Sequence, residues 1–182
     1  MSLGPRRASS IALISCLLVW GPTLLTRANP AWAAPPGDSS GGGASEASAS
    51  VQARNLAFAY LNLWSAPNRV SLASAPSFYG STVWFHGRTR PLGSVLAEKR
   101  RFAARWPNRT YRYRPETTQV SCETERPRCT VWSIFDFSAS HARAGRRSRG
   151  IGEHELVVSF AAGRPVIASE NSRVLRRGAA RR

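Results

Sequence analysis

The sequence predicts an α+β fold in which N-terminal helices pack on a curved, mostly antiparallel sheet. Apolar residues recur with a period of about 3.6 through residues 55–66 and again through residues 92–106, which is typical of amphipathic helices. From residue 109 onward, apolar and polar residues alternate, as they do in half-buried strands. Because the helices come first and a run of long strands follows, we expect the helices to cover one face of a sheet.

Length and charge bound the class of protein. The chain has 182 residues, which is room for one domain with appendages, and 42% of them are hydrophobic, enough for a core. The formal net charge is +16, and Lys99 is the single lysine among 26 basic residues. This charge implies attraction to anionic surfaces, although the extreme arginine content favours codon bias over a binding code as its explanation.

The first 33 residues are predicted to be a secretory signal peptide. Arg6 and Arg7 precede an apolar stretch at residues 11–25, and an A-x-A cleavage pattern follows at residues 31–33. The apolar stretch is shorter than the roughly 20 residues that a membrane-spanning helix needs. The sequence therefore predicts a periplasmic or secreted protein.

Two other interpretations of this N-terminal segment stay open. One is an uncleaved membrane anchor, which would leave the domain attached to the membrane. The other is a lipid-modified cysteine, because Cys16 in the stretch LISC resembles a bacterial lipobox, although the apolar run continues past it. The arginine pair also fits a twin-arginine export signal, which is a weak pattern when it occurs alone.

Composition divides the rest of the chain into three parts. Residues 34–50 are rich in Pro, Gly, Ser and Ala, so we expect a flexible linker without fixed structure. Residues 51–175 read as continuous folded-domain sequence of ordinary length. Residues 176–182, RRGAARR, are predicted to be a frayed basic tail.

Three helices are predicted in the first half of the domain. The first covers residues 55–66 and is stopped by Pro67. A short second helix follows through residues 68–75. The third, residues 92–106, shows the clearest helical period, and Lys99 lies on its apolar stripe.

The strands are predicted from short aromatic or alternating segments. Residues 81–87 form a short aromatic strand. Residues 109–122 and 129–137 form one antiparallel hairpin, and residues 150–160 and 164–175 form another around Ala162-Gly163.

Cys122 and Cys129 are predicted to form a disulfide across the first hairpin. Cleavage of the signal peptide leaves only these two cysteines in an exported protein, and an oxidising compartment favours their pairing. Zinc needs more ligands than this stretch offers, and a C-x-x-C redox motif is absent. The pairing places Val120 opposite Val131. A switchable rather than structural disulfide is the alternative.

Three stretches of the domain resemble the nuclear transport factor 2-like superfamily, particularly exported bacterial members near its polyketide-cyclase-like (SnoaL-like) group. They are FAYLNLWSAPN at residues 58–68, SFYGSTVWFHGRTRPLGSVLAEKRRFAARWPNRTYRYRP at residues 77–115, and ELVVSFAAGRPVIASENSRVL at residues 155–175. The resemblance implies a cone-shaped, cystatin-like α+β fold with a cavity open at one end. The superfamily includes isomerases, dehydratases, cyclases and transport factors, so the fold does not choose among them.

Three residues are candidates for catalysis, because active members of the superfamily would place Asp, His and Tyr in the cavity. Asp136 lies in the apolar run SIFDF, where burial would raise its pKa as a general acid or base needs. His86 ends the short aromatic strand, and His154 shares the apolar face of its strand. For each of them, a paired or solvated structural role is the competing interpretation. The paired Asp and Tyr pattern of the isomerases is not found.

Six aromatic residues are candidates for lining an apolar cavity, with a purely structural core as the alternative. They are Tyr60, Trp64, Tyr79, Trp84, Trp106 and Trp132. The sequence contains no H-E-x-x-H motif, no phosphate-binding loop and no dinucleotide fingerprint. We therefore expect no metal and no cofactor.

Three basic runs are candidates for binding anionic surfaces. They are residues 99–105, residues 143–150 and the tail from Arg176. Export argues against nucleic acid as the partner and favours the anionic surface of an envelope. A solvated surface is the plain alternative.

The leading functional hypothesis is an exported domain, without catalytic activity, that binds a small apolar molecule or an envelope protein. The second hypothesis is a cofactor-free isomerase, dehydratase or cyclase that uses Asp136 and a histidine. The third is an arginine-rich adaptor to anionic envelope surfaces. A homodimer is compatible with each of them.

Overall fold

The computed structural model describes residues 41–178, so the signal peptide predicted at residues 1–33 lies outside the described part. Three helices precede most of the strands: α1 (Gly41–Ser65), α2 (Asn68–Ser74) and α3 (Leu92–Arg105). No helix within the described residues is long and apolar enough to cross a membrane. The helices pack on one face of a seven-stranded sheet, so the predicted α+β class is confirmed.

The sheet is mixed, with one parallel pair among antiparallel ones. Its strands are β1 (Tyr79–Phe85), β2 (Arg88–Pro91), β3 (Asn108–Tyr113), β4 (Gln119–Cys122), β5 (Arg128–His141), β6 (Arg146–Ser159) and β7 (Val166–Arg177). The order across the sheet is β2-β1-β7-β6-β5-β3, with β4 beside β3 on the same edge of β5. The parallel contact joins β1 to β7.

The first predicted hairpin differs from its expected form in one respect. The segment expected to be one strand over residues 109–122 is divided into β3 and β4 by a short 3-10 turn, Pro115–Thr117. Proline lacks the N–H that a strand would need at that position. Both halves still pair with β5, and Val120 lies opposite Val131 as predicted. Cys122 and Cys129 form the predicted disulfide.

Both ends of the described chain are more ordered than the composition indicates. α1 begins at Gly41, so residues 41–50 are helical where a linker is expected. Ala49 packs against the core from this extension, which gives tertiary support to a Ser- and Ala-rich segment that lacks an apolar stripe. At the other end, β7 continues through Arg176 and Arg177, which the sequence assigns to a frayed tail.

Arg109 connects the three helices through hydrogen bonds on the inner side of the sheet. Its buried side chain donates from Nε to the Trp64 carbonyl at the end of α1, over 3.1 Å. Nη1 donates to the carbonyls of Ala103 and Trp106 at the end of α3, and also to Asn68 Oδ1 at the start of α2. One guanidinium thus satisfies carbonyls that the helix ends leave without partners, and this fixes α3 against the sheet.

A bulge in β7 decides which side chains face the helices. Ile167 lies opposite Val158 and Ser169 opposite Val157, so Ala168 is one extra residue in the strand. Beyond it, Glu170 lies opposite Leu156, and directly opposite residues share one face of a sheet. Without the bulge, Glu170 would lie opposite Glu155 on the outer face.

Candidate functional site

The inner face of the sheet, α1 and α3 enclose a cavity of about 420 Å³. The cavity is open on one side. Aromatic and aliphatic side chains form about half of its lining, and the charged residues in the wall are Glu98, Lys99, Arg105, Glu170, Arg173 and Arg177. The lining residues used below are Tyr60, Trp64, Phe85, His86, Lys99, Trp106, Phe135, His154, Glu170 and Arg177. Sites for small molecules are usually concave and lined by apolar side chains with polar groups among them.

The most unusual group in this cavity is a buried ion pair between Lys99 and Glu170. Lys99 Nζ lies 2.5 Å from Glu170 Oε1, and the Glu170 side chain is only 2% exposed. The hydroxyls of Tyr60 and Tyr79 both donate to the other carboxylate oxygen, over 2.8 and 2.5 Å. A carboxylate removed from water thus has partners for both of its oxygens, as a buried charge requires.

The electrostatics of this cluster keep Glu170 ionised. Burial by itself would raise the pKa of the Glu170 carboxyl, but the Lys99 ammonium, its hydrogen bond and that of Tyr79 hold the pKa below its usual value. Burial and the adjacent carboxylate raise the pKa of the Tyr60 and Tyr79 hydroxyls well above the ordinary range. Both tyrosines are therefore neutral donors at physiological pH.

His154 is held in the neutral form beside this cluster. Its ring stacks on Tyr60, with 5.7 Å between the ring centroids. Burial lowers the pKa of His154 to about 4, and the charge of Lys99 acts in the same direction. The Tyr113 hydroxyl lies 2.9 Å from the Ala57 carbonyl and 3.2 Å from His154 Nδ1. The Tyr113 hydroxyl has one proton for these two neighbours: when the carbonyl accepts it, Nδ1–H of His154 donates to the Tyr113 oxygen and Nε2 is unprotonated.

Two hydrogen-bond donors of the cavity lack partners among the described residues. An ammonium has three N–H groups, and Glu170 is the one oxygen acceptor found for Lys99 within residues 45–178. Three aromatic rings surround Lys99 Nζ instead, with centroids 5.2 to 5.5 Å away, those of Tyr60, Trp64 and Phe85. The indole N–H of buried Trp64 has no partner in the same part of the chain.

Sequence comparison does not identify the chain, whereas structural comparison does identify its fold. No protein-family model matches the sequence, and no curated protein matches it. Similar solved structures include a protein from Kribbella flavida, with a TM-score of 0.62, 12% identity, and coverage of 73% of this chain and 95% of that one. A proposed dehydratase of the nuclear transport factor 2-like family from Streptomyces avermitilis has a TM-score of 0.58 and 10% identity, over 71% of this chain and 99% of that one. The protein has the nuclear transport factor 2-like fold.

A third neighbour extends the same comparison. It is a proposed scytalone dehydratase from Novosphingobium aromaticivorans, with a TM-score of 0.62 and 6% identity over 75% of this chain and 90% of that one. Identities this low establish the fold alone, so the expected nuclear transport factor 2-like fold is confirmed.

Asp136 lies outside the cavity of this nuclear transport factor 2-like domain. It sits on the outer face of β5, where its side chain is 47% exposed, and Arg114 contacts both carboxylate oxygens over 2.7 and 2.9 Å. The hydrogen bonds from Arg114 lower the pKa of the Asp136 carboxyl, the opposite of the expected shift. Asp136 is therefore not a buried acid but a paired surface carboxylate, the competing interpretation drawn from the sequence, because in the run SIFDF the aspartate alternates outward between two inward-facing phenylalanines.

Both predicted histidines line the cavity, at different depths. His154 lies on its inner wall, whereas His86 is exposed at its mouth. His86 and Gly87 both have positive φ, 47° and 81°, as the two central residues of a type I′ hairpin turn require. This turn joins β1 to β2 and holds the His86 ring against Phe85, with 4.4 Å between the ring centroids.

The six predicted aromatic residues divide into three groups. Tyr60, Trp64 and Trp106 line the cavity. Tyr79 lies behind the wall and reaches the site through its hydroxyl on Glu170. Trp84 and Trp132 are 51% and 40% exposed on the outer face, so the expectation that they line the cavity is wrong. In each strand the inward positions are taken by its neighbours, Val83 and Phe85 beside Trp84, and Val131 and Ser133 beside Trp132.

Sequence reasoning missed Glu170 and did not assign a role to Lys99. The apolar stripe of α3 contained the signal for Lys99, because a lysine among buried positions needs a partner. No comparable signal existed for Glu170, since its inward orientation depends on the bulge at Ala168. Within residues 45–178, no group of three or more His, Cys, Asp or Glu side chains is arranged to hold a metal ion.

Proposed function

We propose that the domain binds a small, largely aromatic or apolar molecule carrying one acceptor oxygen, such as a carboxylate, phenolate or carbonyl. The apolar wall would enclose the body of the molecule, and the acceptor would accept hydrogen bonds from Lys99 Nζ. This refines the binding hypothesis drawn from the sequence, which specified only an apolar ligand. The similar fold of two proposed dehydratases supports a ligand-binding use of the cavity without defining its chemistry.

The observation that carries the proposal is the incomplete hydrogen bonding of Lys99. The Lys99 side chain is 14% exposed, three aromatic rings lie around its ammonium, and it keeps donors that no described residue accepts. Polar groups in a largely apolar site gain from a partner. A ligand oxygen beside Lys99 Nζ would supply an acceptor, whereas a purely apolar ligand would not.

Titration with a matched pair of probes tests this proposal. We expect the full-length protein to bind naphthoate more tightly than methylnaphthalene, which has no acceptor oxygen, by roughly 10- to 100-fold, the worth of one hydrogen bond to a charged group. Because Lys99→Met alone would strand the Glu170 carboxylate, the informative variant combines it with Glu170→Gln, and Glu170→Gln alone is its control. Arg88→Met removes an exposed cation and should change nothing.

The outcome that overturns the proposal is equal affinity for the two probes in the native protein. The proposal would also be contradicted if Glu170→Gln alone lost the preference for naphthoate while the variant that combines it with Lys99→Met kept that preference. Binding can be followed by the fluorescence of Trp64 and Trp106, which line the cavity, with calorimetry as an independent measurement. Native mass spectrometry of protein from its own host then shows whether a molecule of this kind co-purifies.

A second candidate function is cofactor-free proton transfer, as in an isomerase, dehydratase or cyclase. The observation in its favour is that neutral His154, with one unprotonated ring nitrogen, shares the cavity with the Lys99 ammonium. A base and a cation placed together could remove a proton beside a carbonyl and stabilise the enolate. Incubating acetonaphthone with the protein in deuterium oxide tests this.

Incorporation of deuterium at the methyl group, abolished in His154→Phe, would establish proton transfer. Tight binding of the ketone without incorporation would favour a domain that binds without catalysis. Asp136 takes no part in this candidate mechanism, because it faces away from the cavity.

Export, an envelope partner and a homodimer remain part of the proposal. The disulfide between Cys122 and Cys129 supports an oxidising compartment. Expression in its host followed by fractionation should place a chain that begins at Ala34 in the periplasm or the medium. Recovery of a full-length chain in the membrane fraction would instead favour the anchored form.

A further inference from the structure

One end of the sheet combines a high positive charge with almost no acid. Segments 110–114, 136–151 and 176–178 meet there, because β3 pairs with β5, β5 with β6, and β6 with β7 over these residues. We call this surface the cationic end. It contains Asp136 as its one acid and eight arginines: Arg112, Arg114, Arg143, Arg146, Arg147, Arg149, Arg176 and Arg177.

The strand register arranges part of this charge in rows on the outer face. One row runs across four strands as Arg112, Asp136, Ile151 and Arg176. The next contains Thr110, Ser138 and Arg149, which line a shallow groove with the first row. The short hydroxyl side chains of Thr110 and Ser138 add further donors for anionic oxygens.

Little of this charge is neutralised within the domain. Arg114 occupies both oxygens of Asp136. Arg112, Arg147 and Arg176 are exposed and form no ion pair with any described residue. Two acids border this end: Glu116 follows Arg114 closely in the chain, and Glu153, two residues beyond Ile151 on β6, is paired with Arg173. Arginines therefore outnumber acids at this end, and three of them have no ion-pair partner within the described residues.

We propose that the cationic end docks on an anionic phospholipid surface. Two features favour lipid over nucleic acid. Exposed Leu175, the extra residue between the paired positions Val174 and Arg176, directly precedes Arg176 and Arg177 and adds apolar contact area beside the charge, as interfacial binding requires. The two outer rows carry no aromatic side chain, and Phe137 is the one aromatic residue that lines the groove, which gives the bases of a nucleic acid a single ring on which to stack.

Docking in this way would bring the cavity mouth close to the lipid. Arg177 lines both the cavity and the groove of the cationic end, and Val174 also lines the cavity. A molecule that partitions into a bilayer would then meet the opening directly. The docking proposal itself does not depend on the cavity having a ligand, so the two can fail separately.

Vesicle flotation with the full chain tests the proposal. One set of vesicles contains phosphatidylcholine alone and the other contains added phosphatidylglycerol, so the apolar N-terminal stretch contributes equally to both. The test variant replaces Arg112, Arg147 and Arg176 by Glu. The control replaces Arg54, Arg69 and Arg88 by Glu; these are exposed residues outside the cationic end, and the change in net charge is the same.

We expect binding to require phosphatidylglycerol and to weaken steeply as the Debye length falls from about 30 Å to about 8 Å with added salt. The test variant should lose at least about 100-fold in its partition coefficient, and the control much less. When the same arginines are replaced by Gln instead of Glu, the test variant should again lose more of its partition coefficient than the control, and both losses should be smaller.

Three results would overturn the proposal. One is equal loss in the test and control variants, which would mean that net charge alone acts. The second is vesicle binding that does not depend on phosphatidylglycerol. The third is a test variant that keeps vesicle binding and loses binding to a DNA duplex, which would assign the surface to nucleic acid.

Discussion

Burial of neutral His154 should make the stability of the protein depend on pH in a defined window. An unfolded histidine has a pKa of about 6.5, whereas burial lowers the folded pKa of His154 to about 4. The unfolded chain therefore binds a proton that the folded chain excludes. The stabilisation is complete above the unfolded pKa and is lost progressively as pH falls from about 6.5 toward 4.

The magnitude follows from the difference between the two pKa values. About 2.5 units correspond to roughly 3 kcal/mol, with a slope approaching about 1.4 kcal/mol per pH unit in the middle of the window. The lowered pKa of the Glu170 carboxyl adds a further loss only at more acidic pH, below its unfolded value. Measurements above about pH 4.5 therefore report mainly on the histidine.

Urea unfolding followed by tryptophan fluorescence, at several pH values between neutrality and mild acid, measures this slope. His154→Phe keeps a ring that can stack on Tyr60 and removes the titrating group, so its free energy of unfolding should be nearly flat over the window. His141→Gln is the matched control and should behave as the native protein does. An unchanged slope in His154→Phe, or an imidazole NMR signal that titrates near its ordinary pKa, would refute the reasoning.

Four further outcomes are expected. Lys99→Met should destabilise the fold by about 3 to 5 kcal/mol because it strands a buried carboxylate, and adding Glu170→Gln should recover part of the loss in the same unfolding assay. Arg109→Met should cost about 3 kcal/mol, since the carbonyls of Trp64 and Trp106 lose their donor, whereas Ala103 keeps that of Asn68. A cost similar to that of Arg69→Met, an exposed residue, would contradict this role. Gly152→Ala should lower the affinity for naphthoate and destabilise the fold by about 1 to 3 kcal/mol, because the new Cβ would lie 2.5 Å from the Phe135 ring that lines the cavity. Native affinity in this variant would show that the ring has room to move. Reduction of the disulfide should lower the free energy of unfolding by about 2.5 kcal/mol. The loss is measured as a shift of the urea midpoint when reductant is added, and the variant with both Cys122→Ser and Cys129→Ser should show no such shift.

The hydrophobic period was sufficient to predict most of the elements and their class. α3 is an amphipathic helix of 14 residues, and its period can be read directly because one face is buried and the other is not. The register of the disulfide hairpin was also predictable, since Cys122 and Cys129 fix which residues lie opposite each other. The helical start of α1 could not be predicted, because its Ser- and Ala-rich sequence has no apolar stripe and its helix depends on contacts with the core.

The candidate site was predictable only in part. His154 alternates with apolar residues along β6, so its inward orientation follows from the period of a strand. For Asp136 the sequence left two interpretations open, because a strand with apolar residues on both faces does not reveal which face is inside. The structure selects the paired surface carboxylate and identifies its partner as Arg114, which lies between β3 and the Pro115–Thr117 turn.

By itself, the sequence determined a basic α+β domain with helices before strands, a disulfide hairpin and a lysine on an apolar stripe. These features are local, because each depends on the period of one segment or on the pairing of two neighbouring ones. Tertiary structure decided the site. One extra residue at Ala168 turns Glu170 from the outer face to the inner one, and the packing of α3 brings Lys99 to meet it. A pattern with a period of two cannot specify a residue's face across a bulge, so no reading of β7 alone could have placed that carboxylate.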